Sequence, residues 1–203
     1  MTLKRPVRRV GSVGFALVFM LVISTNGAAQ TQSAASFTAT TANLTAGAGE
    51  KLKIELFRWS SDQERAQLLA ALKESGPEQL SKTLEAAPSA GYVWTDESLG
   101  YAVHYACRQP LPNGGERIIL AIDRPLGSWS GHPWTARAGS SSGNYPFTVI
   151  ELRLNSSGRG EGRMSLNAKV AASDADKTIE LEDAEATPVL LKNVQREGGR
   201  PKN

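Results

Sequence analysis

Residues 99–123 read LGYAVHYACRQPLPNGGERIILAID. Leu99, Tyr101, Val103, Tyr105 and Cys107 alternate with Gly100, Ala102, His104, Ala106 and Arg108. Side chains on a strand point to opposite faces in turn, so this period of two predicts a strand with one apolar row. Pro112-Asn113-Gly114-Gly115 carries turn chemistry. Arg117 to Asp123 then resumes as a second strand, with Ile118, Leu120 and Ile122 on one face. Two such runs around a Gly-bearing turn predict a β-hairpin.

The same rhythm extends in both directions. Downstream, Tyr145 to Asn155 predicts a strand with Thr148, Ile150, Leu152 and Leu154 on one face. Ser156 to Gly160 predicts a turn. Met164, Leu166, Ala168 and Val170 alternate with polar residues, Ser173 to Asp176 turns again, and Thr178–Asp183 and Val189–Arg196 predict the last strands. Upstream, Phe37 to Leu44 is a Thr-rich first strand. Leu52, Ile54 and Leu56 oppose Lys51, Lys53 and Glu55 in the next.

Between Trp59 and Pro88 the period changes. Ser61 and Glu64 form a capping-box pattern, Leu68, Leu69 and Leu72 share a helical stripe, and Gly76-Pro77 predicts a break. Leu80 and Leu84 supply the apolar side of the second part. The reading is a helical hairpin over residues 61–87.

These elements predict a mainly β domain over residues 37–197. Eight or nine sequential strands joined by short turns imply antiparallel neighbours. An antiparallel barrel, or a strongly curved sheet or sandwich, would avoid exposed edges, with the two-helix insertion covering an end or open side.

The first 29 residues read as an export signal. Lys4, Arg5, Arg8 and Arg9 precede an uncharged apolar run from Val10 to Ile23, and Gly27 and Ala29 suit a signal peptidase cutting before Gln30. The run is shorter than the roughly 20 apolar residues a membrane-spanning helix needs. A periplasmic or secreted protein is therefore expected, without stable membrane insertion after cleavage. Residues 30–36 read as a loose leader and 198–203 as a polar tail.

Cleavage would change the charge. The whole chain has 23 Lys and Arg against 20 Asp and Glu, a net +3. Removing the four basic residues of the signal leaves 19 against 20, a net −1. A basic surface for nucleic acid has no support in that balance. The chain has one cysteine, Cys107, so no internal disulfide can form, and its place in an apolar row predicts a buried small hydrophobe.

Catalytic motifs are weak. Gly139 to Gly143 matches G-x-S-x-G, but a nucleophile elbow needs a helix after the Ser and here a strand is predicted. Gly158 to Gly162 lacks the following helix N-terminus that holds a phosphate, so a turn or bulge is the expected reading. The two histidines, His104 and His132, belong to no metal-ligand spacing. No cofactor motif is present.

The loop Trp129-Ser130-Gly131-His132-Pro133-Trp134 breaks the strand rhythm. Trp129, His132 and Trp134, with Arg124 and Arg137 nearby in sequence, form a candidate ligand-binding set, because paired indoles stack on ring-bearing ligands. The competing reading is that the two indoles pin the loop to the body. Glu151 stands among apolar residues and faces the same way as Val149 and Arg153, which predicts a cross-strand ion pair.

The segments Asp123-Arg124-Pro125, Tyr145 to Leu154 and Gly160 to Leu166 resemble a group of exported bacterial proteins to which no activity is assigned. The resemblance implies a bacterial envelope or secreted setting and no functional residues. The leading functional expectation is non-enzymatic binding of a small ligand or envelope protein. The alternatives are a hydrolase-like periplasmic enzyme whose acids, such as Asp123 and Glu151, meet in a cleft, and an envelope assembly component with an open edge or apolar patch.

Overall fold

The computed structural model describes residues 33–46, 49–96, 100–126, 135–136, 146–165, 170–173, 177–181 and 188–198. The expected signal, leader start and tail lie outside them, as do Trp129, His132, Trp134, Arg137 and the Gly139–Gly143 stretch.

Twelve strands and one helical element are described: β1 Ala35–Ala42, β2 Leu44–Ala46, β3 Lys51–Leu56, α1 Asp62–Ala86, β4 Gly91–Thr95, β5 Tyr101–Pro110, β6 Glu116–Ile122, β7 Thr135–Ala136, β8 Thr148–Leu154, β9 Arg159–Met164, β10 Val170–Ser173, β11 Thr178–Leu181 and β12 Val189–Glu197. Eight of them close into an antiparallel barrel in the order β1-β12-β9-β8-β6-β5-β4-β3. Each barrel strand pairs with the next barrel strand along the chain, and β12 closes on β1. Of the architectures open to the sequence, the barrel is the one adopted. The short pairs β2–β7 and β10–β11 stand apart from it.

The interior is a packed core. Phe37, Leu52, Ile54, Leu56, Val93, Tyr101, Val103, Ile118, Leu120, Ile122, Ile150, Leu152 and Leu191 are all fully buried in one cluster. An eight-stranded barrel is just wide enough for side chains to fill it. A ligand entering the barrel mouth would meet these side chains.

A second apolar layer lies outside the wall. Leu68, Leu72, Leu80 and Leu84 of α1 pack with Tyr105, Cys107, Ile119, Ala121 and Val149 from the outer faces of β5, β6 and β8, and with Val170, Ile179 and Leu181 of the β10–β11 hairpin. The helical insertion thus covers the side of the barrel, not an end, and β6 and β8 are buried on both faces.

The helical hairpin read from residues 61–87 is corrected to one helical element. Ser61 Oγ accepts from the Glu64 amide at 3.2 Å, and Glu64 Oε2 accepts from the Ser61 amide at 2.6 Å, completing the capping box. Gly76 breaks the helical geometry at φ 74° and ψ −165°, and the element kinks there and continues through Pro77. Glycine takes this left-handed φ without the steric cost a Cβ would bring.

Several strands differ from the sequence reading. β4 has no counterpart in the sequence reading, which resumes its strands only at Leu99. A Cβ on Gly91 would lie 2.1 Å from the Glu55 carbonyl oxygen, so the close approach of β3 requires glycine. In β5 the register shifts between Val103 and Tyr105. The bulge splits the apolar row: Val103 stays in the barrel core, and Tyr105 and Cys107 turn to the outer wall beneath α1. Cys107 is buried as expected, by the helix. Finally, β9 begins at Arg159, inside the glycine-rich stretch, and β10 pairs with β11. Gly158 occupies the turn at φ 74°. Gly160 and Gly162 are strand residues facing the β8 backbone.

Candidate functional site

The outer wall over β6, β8 and β9 carries a cluster of charged side chains. Alternation puts Arg117, Glu151 and Arg153, and Arg159, Glu161 and Arg163, on the outward faces of these three strands. Register places Glu151 opposite Ile119 on one side and Arg163 on the other. The carboxylate is 1% exposed. It accepts hydrogen bonds from Arg117 Nε at 2.9 Å, Arg153 Nε at 2.7 Å and Arg163 Nε at 2.9 Å. Arg163 Nη2 also stands 2.9 Å from Oε2.

Burial pushes the Glu151 carboxyl upward. The Arg153 hydrogen bond and the charges of Arg117 and Arg163 more than offset that push, so the group is held below the usual carboxylate range. The cross-strand pairing expected for Glu151 is thus present, with three guanidiniums on one carboxylate. Glu161 is engaged by Lys192 Nζ at 2.7 Å. Arg159 is exposed. Among the described residues the patch holds four arginines and one lysine, with the carboxylates of Glu151 and Glu161 between them.

This wall borders an open groove of about 830 Å³. The β5–β6 turn, through Pro112 and Asn113, forms one rim and Leu190 of β12 is part of the lining; Arg153, Arg159 and Arg163 line the floor. Arg153 has its Nε on Glu151, and its side chain is 60% exposed. Its Nη groups and the whole Arg159 guanidinium have no partner among the described residues. Guanidiniums in this state offer paired N–H groups that match a carboxylate or phosphate.

Arg124 lies elsewhere. It grips Asp123 with Nε at 2.9 Å and Nη2 at 2.7 Å. That hydrogen bonding holds the Asp123 carboxyl low against its burial, helped by the Arg124 charge and by His104. His104 Nε2 is 3.5 Å from Asp123 Oδ2. Its Nδ1 is 2.7 Å from the Ala87 carbonyl oxygen, which can only accept, so Nδ1 carries a proton.

Asp123 and Glu151 do not meet. Asp123 follows β6 by four residues from Ile119, the partner of Glu151, which is about 13 Å along a strand. Among the described residues no group of three or more His, Cys, Asp or Glu side chains is placed to hold a metal ion. Of the five residues in the sequence-derived set, only Arg124 is described, and it belongs to the Asp123 pair. The basic wall has no spacing motif in sequence: Arg117, Arg153, Arg159 and Arg163 converge only through strand register. The available signal was the outward alternation of Arg153, Arg159 and Arg163 around an acid in an apolar strand.

The fold and the wall define a class: an eight-stranded meander barrel with a filled interior and a charged outer groove. Comparison of the chain with family models, curated proteins and solved structures finds no match.

Proposed function

We propose that this is a non-enzymatic, exported binding protein that takes an anionic ligand in the groove over β8 and β9. The observation that carries the reading is the pair of exposed guanidiniums, Arg153 and Arg159, that lines an open groove. Arg153 reaches the buried Glu151 carboxylate through Nε and is otherwise exposed, Arg159 is exposed beside it, and both present guanidinium N–H groups to an open groove. The Glu151 carboxylate positions Arg153, which lowers the entropic cost of capturing an anion. The carboxyls of Asp123 and Glu151 are both held low by arginines, which suits structural ion pairing and not proton donation. Export rests on the N-terminal signal pattern, and the bacterial envelope setting on the resemblance.

The test is calorimetric titration of the mature chain with pyrophosphate and with citrate. At least one should bind, with affinity falling as salt rises, because the groove is open to screening. Arg153→Gln with Arg159→Gln should weaken binding by at least about tenfold, or 1.4 kcal/mol. The absence of binding to both anions, or undiminished binding in the double variant, would overturn the reading.

A further inference from the structure

The groove over β8 and β9 has two unlike parts. At its turn end the side-chain groups left over among the described residues are all donors. Arg153 pairs across the strands with Glu161, and Arg159 lies two residues before Glu161 on the same face. Such diagonal neighbours stand about 7–8 Å apart, close enough for two guanidiniums to close on one group. Two asparagines join them in the lining. Asn155 Oδ1 accepts from the amides of Ser157 at 2.9 Å and Arg159 at 3.2 Å, and from Ser157 Oγ at 2.6 Å. Asn113 Oδ1 accepts from the Gly115 amide at 3.1 Å. Both oxygens are thus spent inside their own turns, and each amide keeps its NH2 group as a donor. The acceptors nearby are already engaged: Glu161 takes Lys192 Nζ at 2.7 Å, and Glu151 takes three arginines.

The flanks of the same groove are apolar. Leu111 is half-buried and Pro112 exposed, next to Asn113 on the rim that the β5–β6 turn forms. Leu190, 36% exposed, lines the far part and stands opposite Arg163 across the β9–β12 pairing. From Arg159 to Arg163 is four residues, about 13 Å along the strand. The aliphatic stem of Arg163 lies on that path, with its charged end turned to Glu151.

We propose that the ligand of this groove is a phosphate monoester of an apolar alcohol, bound singly from solution. Its phosphoryl oxygens sit between Arg153 and Arg159, and its alkyl arm runs along the wall towards Leu190, with Leu111 and Pro112 against its first carbons. The inference rests on the anion-binding reading of the same groove and narrows it to this class. The head follows from the donor count. One guanidinium fork already matches the two oxygens of a carboxylate. Two guanidiniums and two amides offer more N–H groups than that and suit the three terminal oxygens of a phosphate monoester. The arm follows from the flanks. A bare inorganic anion would leave Pro112 and Leu190 in water, whereas an alkyl chain removes their apolar surface from it.

The experiment is calorimetric titration of the mature chain with ethyl, butyl, hexyl and octyl phosphate, each below its micelle concentration. A fully buried methylene is worth about fourfold in affinity. An open groove shelters only part of the chain, so octyl phosphate should bind at least about tenfold more tightly than ethyl phosphate. Nonanoate, with a comparable arm and a carboxylate head, should bind more weakly than octyl phosphate. Arg153→Gln with Arg159→Gln should weaken every member of the series. Pro112→Ser with Leu190→Ser, both at exposed positions, should bring octyl phosphate down to the affinity of ethyl phosphate and leave pyrophosphate binding unchanged, which also shows that this variant is folded. If pyrophosphate or citrate binds but affinity does not rise with chain length, the anion groove stands and the alkyl arm is refuted. Equal affinity for nonanoate and octyl phosphate refutes the phosphate head. A chain-length gain that survives Pro112→Ser with Leu190→Ser, or equal binding of neutral octyl glucoside, also overturns the proposal. So does sedimentation with phosphatidylglycerol vesicles by a protein that binds no dissolved octyl phosphate. Failure of every anion to bind removes the groove reading and this inference together.

Discussion

Replacing Glu151 by Gln removes the charge on which three arginines converge. Their exposures decide the cost. The Arg153 side chain is 60% exposed, so it returns to water for under about 1 kcal/mol. Arg163 is 21% exposed and pays more. Arg117 is 8% exposed and sits 2.9 Å from the carboxylate, so its guanidinium loses a counter-ion inside the wall. Removing one member of a buried pair costs about 3–5 kcal/mol. At about 2–4 °C per kcal/mol for a domain of this size, E151Q should lower Tm by roughly 6–20 °C. Scanning calorimetry and urea unfolding measure this. Arg153→Gln should shift stability by less than about 1 kcal/mol. Replacing both buried partners, as in Arg117→Met with Glu151→Leu, should recover part of the loss, because neither charge is then left in the wall. If E151Q unfolds within 1 °C of the parent, or if Arg153→Gln costs as much as E151Q, then Arg117 is not the group that depends on Glu151.

Two further outcomes follow from local geometry. The Arg58 guanidinium bonds both Glu64 oxygens and holds that carboxyl at about 2, against an ordinary value of 4.5. A carboxyl depressed in the folded state contributes stability that is fully present above pH 4.5 and is lost as pH falls towards 2; the difference in unfolding free energy between parent and Glu64→Gln should shrink across that window, and a constant difference would refute the role of Glu64. A Cβ on Gly160 would lie 1.8 Å from the Arg153 carbonyl oxygen, so Gly160→Ala must separate β8 from β9 and should cost about 1–3 kcal/mol in urea unfolding; a midpoint equal to the parent's would show that the backbones can part freely.

Local patterns were legible wherever one face of a strand is wet. In β3 the buried Leu52, Ile54 and Leu56 and the outward Lys51, Lys53 and Glu55 follow the alternation as read. The pattern misleads where a bulge intervenes: Tyr105 and Cys107 continue the Val103 row in sequence and leave it in space. It also misleads where backbones crowd, because the glycines that permit contact at Gly91, Gly160 and Gly162 look like turn residues. The Glu151 pair was readable as an acid among apolar neighbours. Of its three arginines, Arg153 was on the same face of the same strand, whereas Arg117 and Arg163 come from different strands and meet it only through register.

The β12–β1 seam has a kinetic consequence. Every other barrel pairing can zip from a neighbour already in place, whereas Ser36 must find Glu197 across nearly the whole domain. Bringing such distant segments together carries the largest loop-closure entropy of any pairing in the barrel. Until the last strand arrives, β1 and β9 are raw edges able to recruit strands from other chains. Folding to completion is therefore gated by residues 189–197, and amide exchange across the seam should report the slowest step of assembly.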